Sequence, residues 1–249
     1  DAFVSAGSTG ALLSAATLTV RRGKGIRRAA MGPVIPTATG SAMLIDCGAT
    51  ADCTPEFLLQ FAFMGSYSAQ KTLKLERPRV GLLNIGTEDS KGGALQKEAY
   101  ALLKKAGDAG YLNFIGNVEA RDVPLGGADV VVADGFSGNI LLKGIEGTAL
   151  FMASMMKNMF KKNVLTKLAA LLCMDGVKAF KKKMDYRETG GTALIGLSKP
   201  VIKAHGSSDA LAIRNAIRQA IGAVEADVAA TLAANMDHMV IPKEYQHAE

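Results

Sequence analysis

Short aliphatic runs alternate with longer helical patterns along most of the chain, and this alternation limits the possible fold more than any other feature. The aliphatic runs cover residues 3–5, 43–46, 80–85, 112–116 and 129–134. The helical patterns cover residues 11–20, 55–75, 93–105, 139–160 and 209–235. Strands that are covered on both faces carry continuous aliphatic residues, and parallel strands need helical crossovers. The pattern therefore predicts an α/β fold with a mainly parallel, Rossmann-like sheet in an α/β/α layered arrangement.

The last helical pattern carries a regular apolar stripe. Its members recur at intervals of three or four residues: Ala210, Ile213, Ile217, Ile221, Val224, Val228 and Leu232. This spacing places them on one face of a helix. We expect that face to pack on the body of the protein or to form half of a dimer contact.

Length and composition bound the domain organisation. A chain of 249 residues can form one large α/β domain or two smaller ones, and 49% hydrophobic with 21% charged residues is typical of globular proteins. We predict a single domain over residues 1–249. Because the chain begins at Asp1 and enters a strand pattern at once, we expect it to lack an N-terminal part of its own.

Charge and metal-binding residue types exclude several classes of function. The net charge of +6 favours anionic partners, whereas an aromatic content of 6% without a recognition motif argues against nucleic acid. Three Cys without a C-x-x-C pattern fit a reducing cytosol. The three His residues (His205, His238 and His247) are far apart in the sequence. We therefore expect no metal site.

The uncharged opening run, residues 2–20, raises the question of a membrane segment. A spanning helix needs roughly 20 predominantly apolar residues. Only 11 of these 19 residues are apolar, and the rest are Ser, Thr and Gly. The run is thus a strand, a polar loop and a helix rather than a membrane span. The second uncharged run, residues 29–45, contains Pro33, Pro36 and Gly40 and is interpreted as a connection and a strand.

Polar, glycine-containing loops follow four of the predicted strands. Their sequences are AGSTG, DCGATADC, GTEDSKGG and ADGFSGN. In open parallel sheets, ligands bind outside the carboxyl ends of the strands, and glycine-rich turns before helix N-termini favour anions. If all four loops share one edge of one sheet, they predict a phosphate or other oxyanion site. No G-x-G-x-x-G or Walker motif supports a nicotinamide or ATP enzyme.

Four polar residues in or near these loops are candidates for chemistry. Lys91 could place a point charge on an anion or simply be solvated, and Asp134 could orient a donor or cap the next helix. Asn139 could be a second hydrogen-bond donor. His205, which precedes the last helix, could be an acid or base.

These segments resemble the PlsX family, the phosphate:acyl-[acyl carrier protein] acyltransferases. The matching stretches run in order from residue 1 to about residue 209: DAFVSAGSTGALL, KGI-R-A---PVIPT, LIDCGATADC, QFAFMGS, PRVGLLNIGTEDSKG, NFIGNVEARD, DVVVADGFSGNILLK and VIKAHGSSD. The resemblance implies a fold related to phosphotransacetylases and isopropylmalate-type dehydrogenases, a homodimer, and a further N-terminal glycine-rich segment. It departs from the family at Ser8 and Thr50, where Asn is usual.

The resemblance also implies a reaction: transfer of a fatty acyl group from the carrier-protein thioester to inorganic phosphate, without cofactor or metal, for bacterial phospholipid synthesis. We predict that Lys91 holds phosphate, that Asn139 lies near the oxyanion, that His205 protonates or stabilises the leaving thiolate, and that Asp134 orients the site. The residues predicted to bind substrate or phosphate are Gly7, Ser8, Thr9, Gly10, Gly48, Thr50 and Asp52.

Residues 157–184 form a basic segment with an apolar centre. The segment contains eight Lys and one Asp, and the stretch VLTKLAALLCM lies between its basic clusters, which predicts a protruding hairpin of two helices that meet near Asp175 and Gly176. The apolar centre could pack on a dimer mate, or it could enter the headgroup region of an anionic membrane. The lysines could instead receive the acidic carrier protein. The predicted membrane contacts are Leu165, Leu168, Leu171 and Leu172.

Two alternatives remain open at this point. One is a phosphotransacetylase-like enzyme that acts on acyl-CoA, and the other is a membrane-bound scaffold without activity. For the enzyme of the resemblance, we expect a cytoplasmic protein that associates peripherally with the inner face of the cell membrane.

Overall fold

The computed structural model describes residues 1–239, which contain nine β-strands and nine α-helices. His247 and the rest of residues 240–249 lie outside the described residues. The strands are β1 (Phe3–Ser5), β2 (Ala30–Gly32), β3 (Val34–Thr37), β4 (Gly40–Ile45), β5 (Arg79–Asn84), β6 (Asn113–Glu119), β7 (Val130–Val132), β8 (Gly191–Ile195) and β9 (Val201–Ala204). The helices are α1 (Thr9–Thr19), α2 (Pro55–Thr72), α3 (Ala94–Asp108), α4 (Gly135–Lys161), α5 (Val164–Leu172), α6 (Met174–Met184), α7 (Tyr186–Thr189), α8 (Ala210–Ala226) and α9 (Val228–Ala234), followed by a 3₁₀-helix (Met236–Met239).

A five-stranded sheet carries most of the predicted strands, in the order β3-β4-β7-β5-β6. The β4–β7, β7–β5 and β5–β6 pairs are parallel, and only the β3–β4 hairpin is antiparallel. Ile45 and Leu82 both pair with Val132, so these three strands end at one edge. This arrangement confirms the predicted α/β fold with a mainly parallel sheet.

A second sheet has four strands in the order β1-β9-β8-β2, and its only parallel pair is β1–β9. The expectation that all four polar loops lie on one rim of one sheet is therefore wrong, because the AGSTG loop follows β1. Strands β8 and β9 are the reason. They have five and four residues and lack a long aliphatic run, so the sequence pattern did not mark them as partners for β1.

Helix α2 connects the two sheets. It packs against β4, β5 and β7 of the larger sheet and β8 of the smaller one. Phe61, Phe63 and Met64 are fully buried within it, as expected for a helix that is covered nearly all round. Gly65 allows the closest approach, since a Cβ there would lie 2.6 Å from Cγ1 of Val130.

The last helical pattern forms two helices rather than one, because Asp227 adopts a left-handed conformation (φ 43°, ψ 54°) between α8 and α9. The face of α8 that packs inward carries small residues, including Ala212, Ala216 and Ala220. Ile217 and Ile221 are 48% and 55% exposed. Inward packing was thus the wrong expectation for this part of the stripe, since short side chains let α8 approach β9 more closely. Half of a dimer contact stays a prediction.

The basic segment begins within α4 and continues through α5 and α6. Helix α4 starts at Gly135, four residues before the predicted start, because Asp134 caps it. The turn between α5 and α6 lies at Cys173, two residues before the predicted Asp175, and both Asp175 and Gly176 are helical. Leu165, Leu168, Leu171 and Leu172 are 76%, 56%, 65% and 84% exposed. Within residues 1–239, no helix is both long and apolar enough to span a bilayer.

Candidate functional site

The DCGAT loop after β4 is organised around the buried carboxylate of Asp46. Its Oδ1 accepts hydrogen bonds from the backbone N–H groups of Met31 (2.7 Å) and Cys47 (2.6 Å). Its Oδ2 accepts from those of Ala49 (3.0 Å) and Thr50 (2.7 Å). Burial raises the pKa of the Asp46 carboxyl above its ordinary value, although the four backbone donors act in the opposite direction.

This arrangement changes the role that the loop can play. The N–H groups of Cys47, Ala49 and Thr50 already donate to Asp46 and do not form a cradle for an anion. Gly48 has a positive φ of 109°, a conformation suited to glycine, and a Cβ there would lie 3.8 Å from Oδ1 of Asn139. The loop therefore contributes the Thr50 side chain and a close approach to Asn139, rather than a row of amide donors.

The N-terminus of α4 packs directly on this loop. Oδ1 of Asp134 accepts the N–H of Ser137 at 2.7 Å, which is a helix cap, so the capping alternative for Asp134 is realised. The N–H of Gly135 donates to the Thr50 carbonyl oxygen at 2.8 Å. A Cβ on Gly135 would lie 2.6 Å from Oδ2 of Asp46, and one on Gly138 would overlap the Asp46 carbonyl oxygen. Both glycines are thus needed for the contact that brings Asn139 to the site.

The GTEDSKGG loop after β5 is held by two asparagines, Asn84 at the end of β5 and Asn117 within β6. Nδ2 of Asn84 donates to the Lys91 carbonyl oxygen and to Oδ1 of Asn117, both at 3.1 Å. Nδ2 of Asn117 donates to the Glu88 carbonyl oxygen at 2.8 Å. The Lys91 ammonium forms a long, exposed ion pair with Glu88 (3.7 Å), a contact weak enough to yield to an anionic ligand.

The remaining candidates lie together at the carboxyl ends of β1 and β9. These strands are parallel neighbours with Ser5 opposite Lys203, so the AGSTG loop and the His205 loop adjoin, and Gly206 approaches the Ala6 carbonyl oxygen. Oγ of Ser8 caps α1 by accepting the N–H of Ala11 at 3.4 Å. Gly7, Thr9 and Gly10 complete this turn, and a Cβ on Gly10 would meet no described atom within 4 Å.

The imidazole of His205 is oriented by the loop that carries it. Its Nδ1 accepts the backbone N–H of Ser207 at 3.2 Å and lies 2.7 Å from Oγ of Ser207. In this arrangement the neutral ring carries its proton on Nε2. Asp209 begins α8 by capping Ala212 and also pairs with Arg187 at 3.1 Å. These contacts fix the loop that precedes the helix.

A cleft of about 340 Å³ opens beside the DCGATADC loop, between the N-termini of α3 and α4. Its lining consists of Ala51, Asp52, Cys53, Leu95, Asp134, Phe136 and Ser137. Burial raises the pKa values of the Cys47 and Cys53 thiols to about 12, so neither is a thiolate at neutral pH. A larger cavity of about 490 Å³, lined by Arg77 and Asn113 among others, lies where β5 and β6 begin, at the edge opposite the loops.

The structure brings the predicted residues together in two groups. Gly48, Thr50, Asp52, Asp134 and Asn139 surround the end of β4, and Lys91 lies on the loop that follows β5 in the same sheet. Gly7 to Gly10 and His205 lie at the second sheet. Across residues 1–239, no group of three or more His, Cys, Asp or Glu side chains is arranged to hold a metal ion.

Sequence reasoning missed Asp46, Asn84, Asn117, Ser207 and Lys203. An acidic residue directly after a buried strand, as at Asp46, was a usable signal, and so was an Asn that ends one, as at Asn84. Lys203 could not be found in this way, because β9 was not predicted. Burial lowers the pKa of the Lys203 ammonium, which lies two residues before His205.

The fold resembles that of solved phosphotransacetylases. A phosphotransacetylase from Streptococcus pyogenes superposes with a TM-score of 0.58 at 22% identity, over 90% of this chain and 63% of that one. A branched-chain phosphotransacylase from Enterococcus faecalis gives a TM-score of 0.54 at 16% identity, over 90% and 73%. At these identities the likeness concerns the fold, and it confirms the predicted phosphotransacetylase-like class.

Sequence relatives identify the family. Residues 1–231 match the family described as "Fatty acid synthesis protein", and the chain belongs to it. A phosphate acyltransferase of Thermoanaerobacterium thermosaccharolyticum is 53% identical over 92% of this chain and 67% of its own length. One of Oceanobacillus iheyensis is 52% identical over 95% and 70%. The chain thus spans about two thirds of these relatives, and the predicted membership in a family of phosphate acyltransferase enzymes is confirmed.

Proposed function

We propose that this chain carries the site of an enzyme that transfers a fatty acyl group from acyl-[acyl carrier protein] to inorganic phosphate. The products are an acyl phosphate and the free thiol of the carrier protein, and the acyl phosphate serves bacterial phospholipid synthesis. The observation that carries the proposal is the presence of polar loops at the strand ends of both sheets, in a chain that is about 50% identical to phosphate acyltransferases.

Phosphate needs positioning more than activation, because its dianion is already a nucleophile. Lys91 and the α1 N-terminus, with Ser8, Thr9 and the flanking glycines, provide the positive potential for it. The DCGAT loop is poorly suited to bind the dianion itself, since its amides serve Asp46. We therefore assign Thr50 and Asn139 to the thioester carbonyl, whose oxygen becomes an oxyanion in the tetrahedral intermediate.

The proton balance of the reaction gives His205 a role. Attack by hydrogen phosphate forms the new P–O–C bond, the C–S bond then breaks, and the phosphate proton must reach the sulfur. The neutral imidazole of His205 can donate a hydrogen bond from Nε2 to the departing thiolate, and the phosphate proton, which becomes acidic as the acyl–oxygen bond forms, passes to the sulfur. Cys47 and Cys53 stay protonated at neutral pH, so an acyl-enzyme on either thiol is not part of the route.

Acyl phosphate formation tests this function directly. Purified protein receives acyl-carrier protein or acyl-CoA together with phosphate, and hydroxylamine traps the product. We expect the carrier-protein thioester to be the better donor, and Lys91→Ala and His205→Ala each to lower turnover at least tenfold. Lys104→Ala, which removes an exposed lysine on α3, is the charge-matched control. Near-normal turnover of both site variants contradicts the residue roles, and a preference for acyl-CoA favours the phosphotransacetylase-like alternative that the solved structures represent.

The basic segment is proposed to rest on an anionic membrane surface. Its leucines on α5 are exposed, and the lysines at the end of α4 and on α6 flank them. Flotation with vesicles that contain anionic lipid tests this proposal. We expect Leu168→Glu with Leu171→Glu to abolish binding, and Leu125→Glu, at a leucine that is 64% exposed elsewhere, to leave it intact. Binding that survives the double change contradicts the anchor. If the double variant still binds vesicles but no longer binds the carrier protein, the surface belongs to that partner.

A homodimer is proposed through the exposed stripe of α8. Ile217, Ile221 and Val224 are 48%, 55% and 38% exposed, which is unusual for adjacent turns of one apolar face. Light scattering after size-exclusion chromatography tests the dimer. Ile217→Glu with Ile221→Glu should give monomers, whereas Leu18→Glu should not. A monomeric parent protein overturns the proposal.

A further inference from the structure

Asp46 was not chosen from the sequence, yet its side chain holds the loop that carries Thr50. Its side chain joins three separate pieces of the fold: strand β2 through the N–H of Met31, its own loop through three further N–H groups, and the start of α4 through Gly135. It is fully buried, so its carboxylate does not touch substrate. We propose that Asp46 is a positioning residue that sets the geometry of Thr50 and Asn139 for the acyl transfer. The assignment rests on the function proposed above.

Asp46 sets the direction of the loop that follows β4. With Cys47, Ala49 and Thr50 all turned toward one carboxylate, the chain between Asp46 and Thr50 closes into a tight turn. Gly48 lies at its outer side with φ 109° and faces the Asn139 amide. An uncharged side chain at position 46 would accept fewer of these N–H groups, and the turn would open toward the site.

Asp46 also sets the register of α4. Gly135 and Gly138 have no side chain, and the space that a Cβ would need is filled by Oδ2 and by the carbonyl oxygen of Asp46. The Gly135 N–H also donates to Thr50. The helix therefore begins at a depth that Asp46 determines, and Asn139 lies one turn further along the same helix.

The role of Asn139 determines which kinetic parameter depends on Asp46. Asn139 is assigned to the oxyanion, which exists only in the transition state and the tetrahedral intermediate. A residue that acts through Asn139 should therefore change kcat more than the KM for phosphate. A residue that only stabilises the fold should change neither in the fraction of protein that is folded.

A double-mutant cycle tests the inference in the full chain. We expect Asp46→Asn and Asn139→Ala each to lower kcat by about 100-fold, the range seen when an oxyanion donor is lost, with the KM for phosphate nearly unchanged. Combined, they should lower kcat no further than about twofold beyond either single change, because both remove one interaction. If the double variant instead loses kcat by the product of the two single effects, the assignment is wrong.

The matched control is Asp129→Asn. Asp129 is a partly buried carboxylate at the other end of the same sheet. Its Oδ2 accepts a hydrogen bond from the backbone N–H of Arg79 at 2.8 Å, and its Oδ1 accepts one from Nη2 of Arg79 at 2.9 Å. This variant should lower the melting temperature and keep kcat. An equal loss of kcat in both aspartate variants shows a general structural effect and overturns the inference. If Asp46→Asn does not fold, Gly135→Ala replaces it, since its Cβ would lie 2.5 Å from the Thr50 carbonyl oxygen while the carboxylate remains.

The two proposals fail in different ways. Absence of acyl phosphate from the parent protein with both donors overturns the function and, with it, the role of Asp46. An active parent protein combined with a normal kcat for folded Asp46→Asn overturns the positioning role alone.

Discussion

The cap that Asp134 places on α4 gives a stability prediction whose size follows from the structure. The carboxylate accepts the N–H of Ser137 at 2.7 Å, and the residue is only 8% exposed. Loss of an N-cap side chain costs about 1 kcal/mol. Loss of a carboxylate beside the positive end of the helix adds ~0.5–1 kcal/mol. Asp134→Ala should therefore lower the free energy of unfolding by about 1.5–2 kcal/mol.

Thermal and urea unfolding measure this change. For a chain of this length each kcal/mol shifts the melting temperature by roughly 2–4 °C, so Asp134→Ala should melt about 3–8 °C lower. Asp134→Ser restores a capping oxygen without the charge and should recover about 1 kcal/mol. If Asp134→Ser is as unstable as Asp134→Ala, or if Asp134→Ala loses less than about 0.5 kcal/mol, the cap does not explain why an acid stands between β7 and α4.

Three further predictions concern packing, pH and thiol chemistry. Gly147→Ala, at an open helical position, should raise the free energy of unfolding by about 1 kcal/mol. Gly65→Ala should lower it by ~1–2 kcal/mol, because the new Cβ would lie 2.6 Å from a strand side chain. Changes of the same sign in urea unfolding contradict the packing of α2. Burial opposes ionisation of Asp129, but the hydrogen bonds and charge of Arg79 outweigh it and hold the pKa of Asp129 below its ordinary value. The stability from this pair is therefore complete above roughly pH 5 and lost as the pH falls below about 4. Asp129→Asn should make the free energy of unfolding fall less steeply with acid. An unchanged acid dependence in this variant refutes the pairing. The buried Cys47 thiol, with a pKa of about 12, should resist iodoacetamide at pH 8 while the exposed Cys173 reacts; mass spectrometry that finds Cys47 alkylated first contradicts its burial.

The sequence was a good guide to elements whose burial is uniform. Strands such as β7, with three fully buried valines, carry a signal in every residue, and α2 shows its cap position and Pro55 at its start. Polar loops after such strands could be located, as candidate ligand sites, for the same reason. The predicted loops with Lys91 and Asp134 are indeed at strand ends, whereas His205 follows β9, a strand that was not predicted.

Local patterns could not show how strands are divided between sheets. Strand β9 has four residues, one of them Lys203, and its pairing with β1 depends on residues nearly 200 positions apart in the chain. The inward face of α8 escaped prediction because alanines pack there while the larger isoleucines remain exposed. Asp46 escaped because an acid after a strand has many uses, and its four backbone donors become neighbours only in the folded loop.

The division into two sheets bears on the proposed chemistry. His205 and the Ser8 turn belong to the smaller sheet, while Thr50, Asn139 and Lys91 belong to the larger one. Phosphate is assigned to Lys91 and the Ser8 turn and the leaving sulfur to His205, so the proposed acyl transfer draws its donors from both supports. The hydrogen bond from Met31 on β2 to Asp46 after β4 ties those supports together at the site itself, and α2 ties them together in the core. A change that loosens either link should therefore impair catalysis before it unfolds either sheet, because the reaction depends on the distance between the two groups of residues and the stability of each sheet does not.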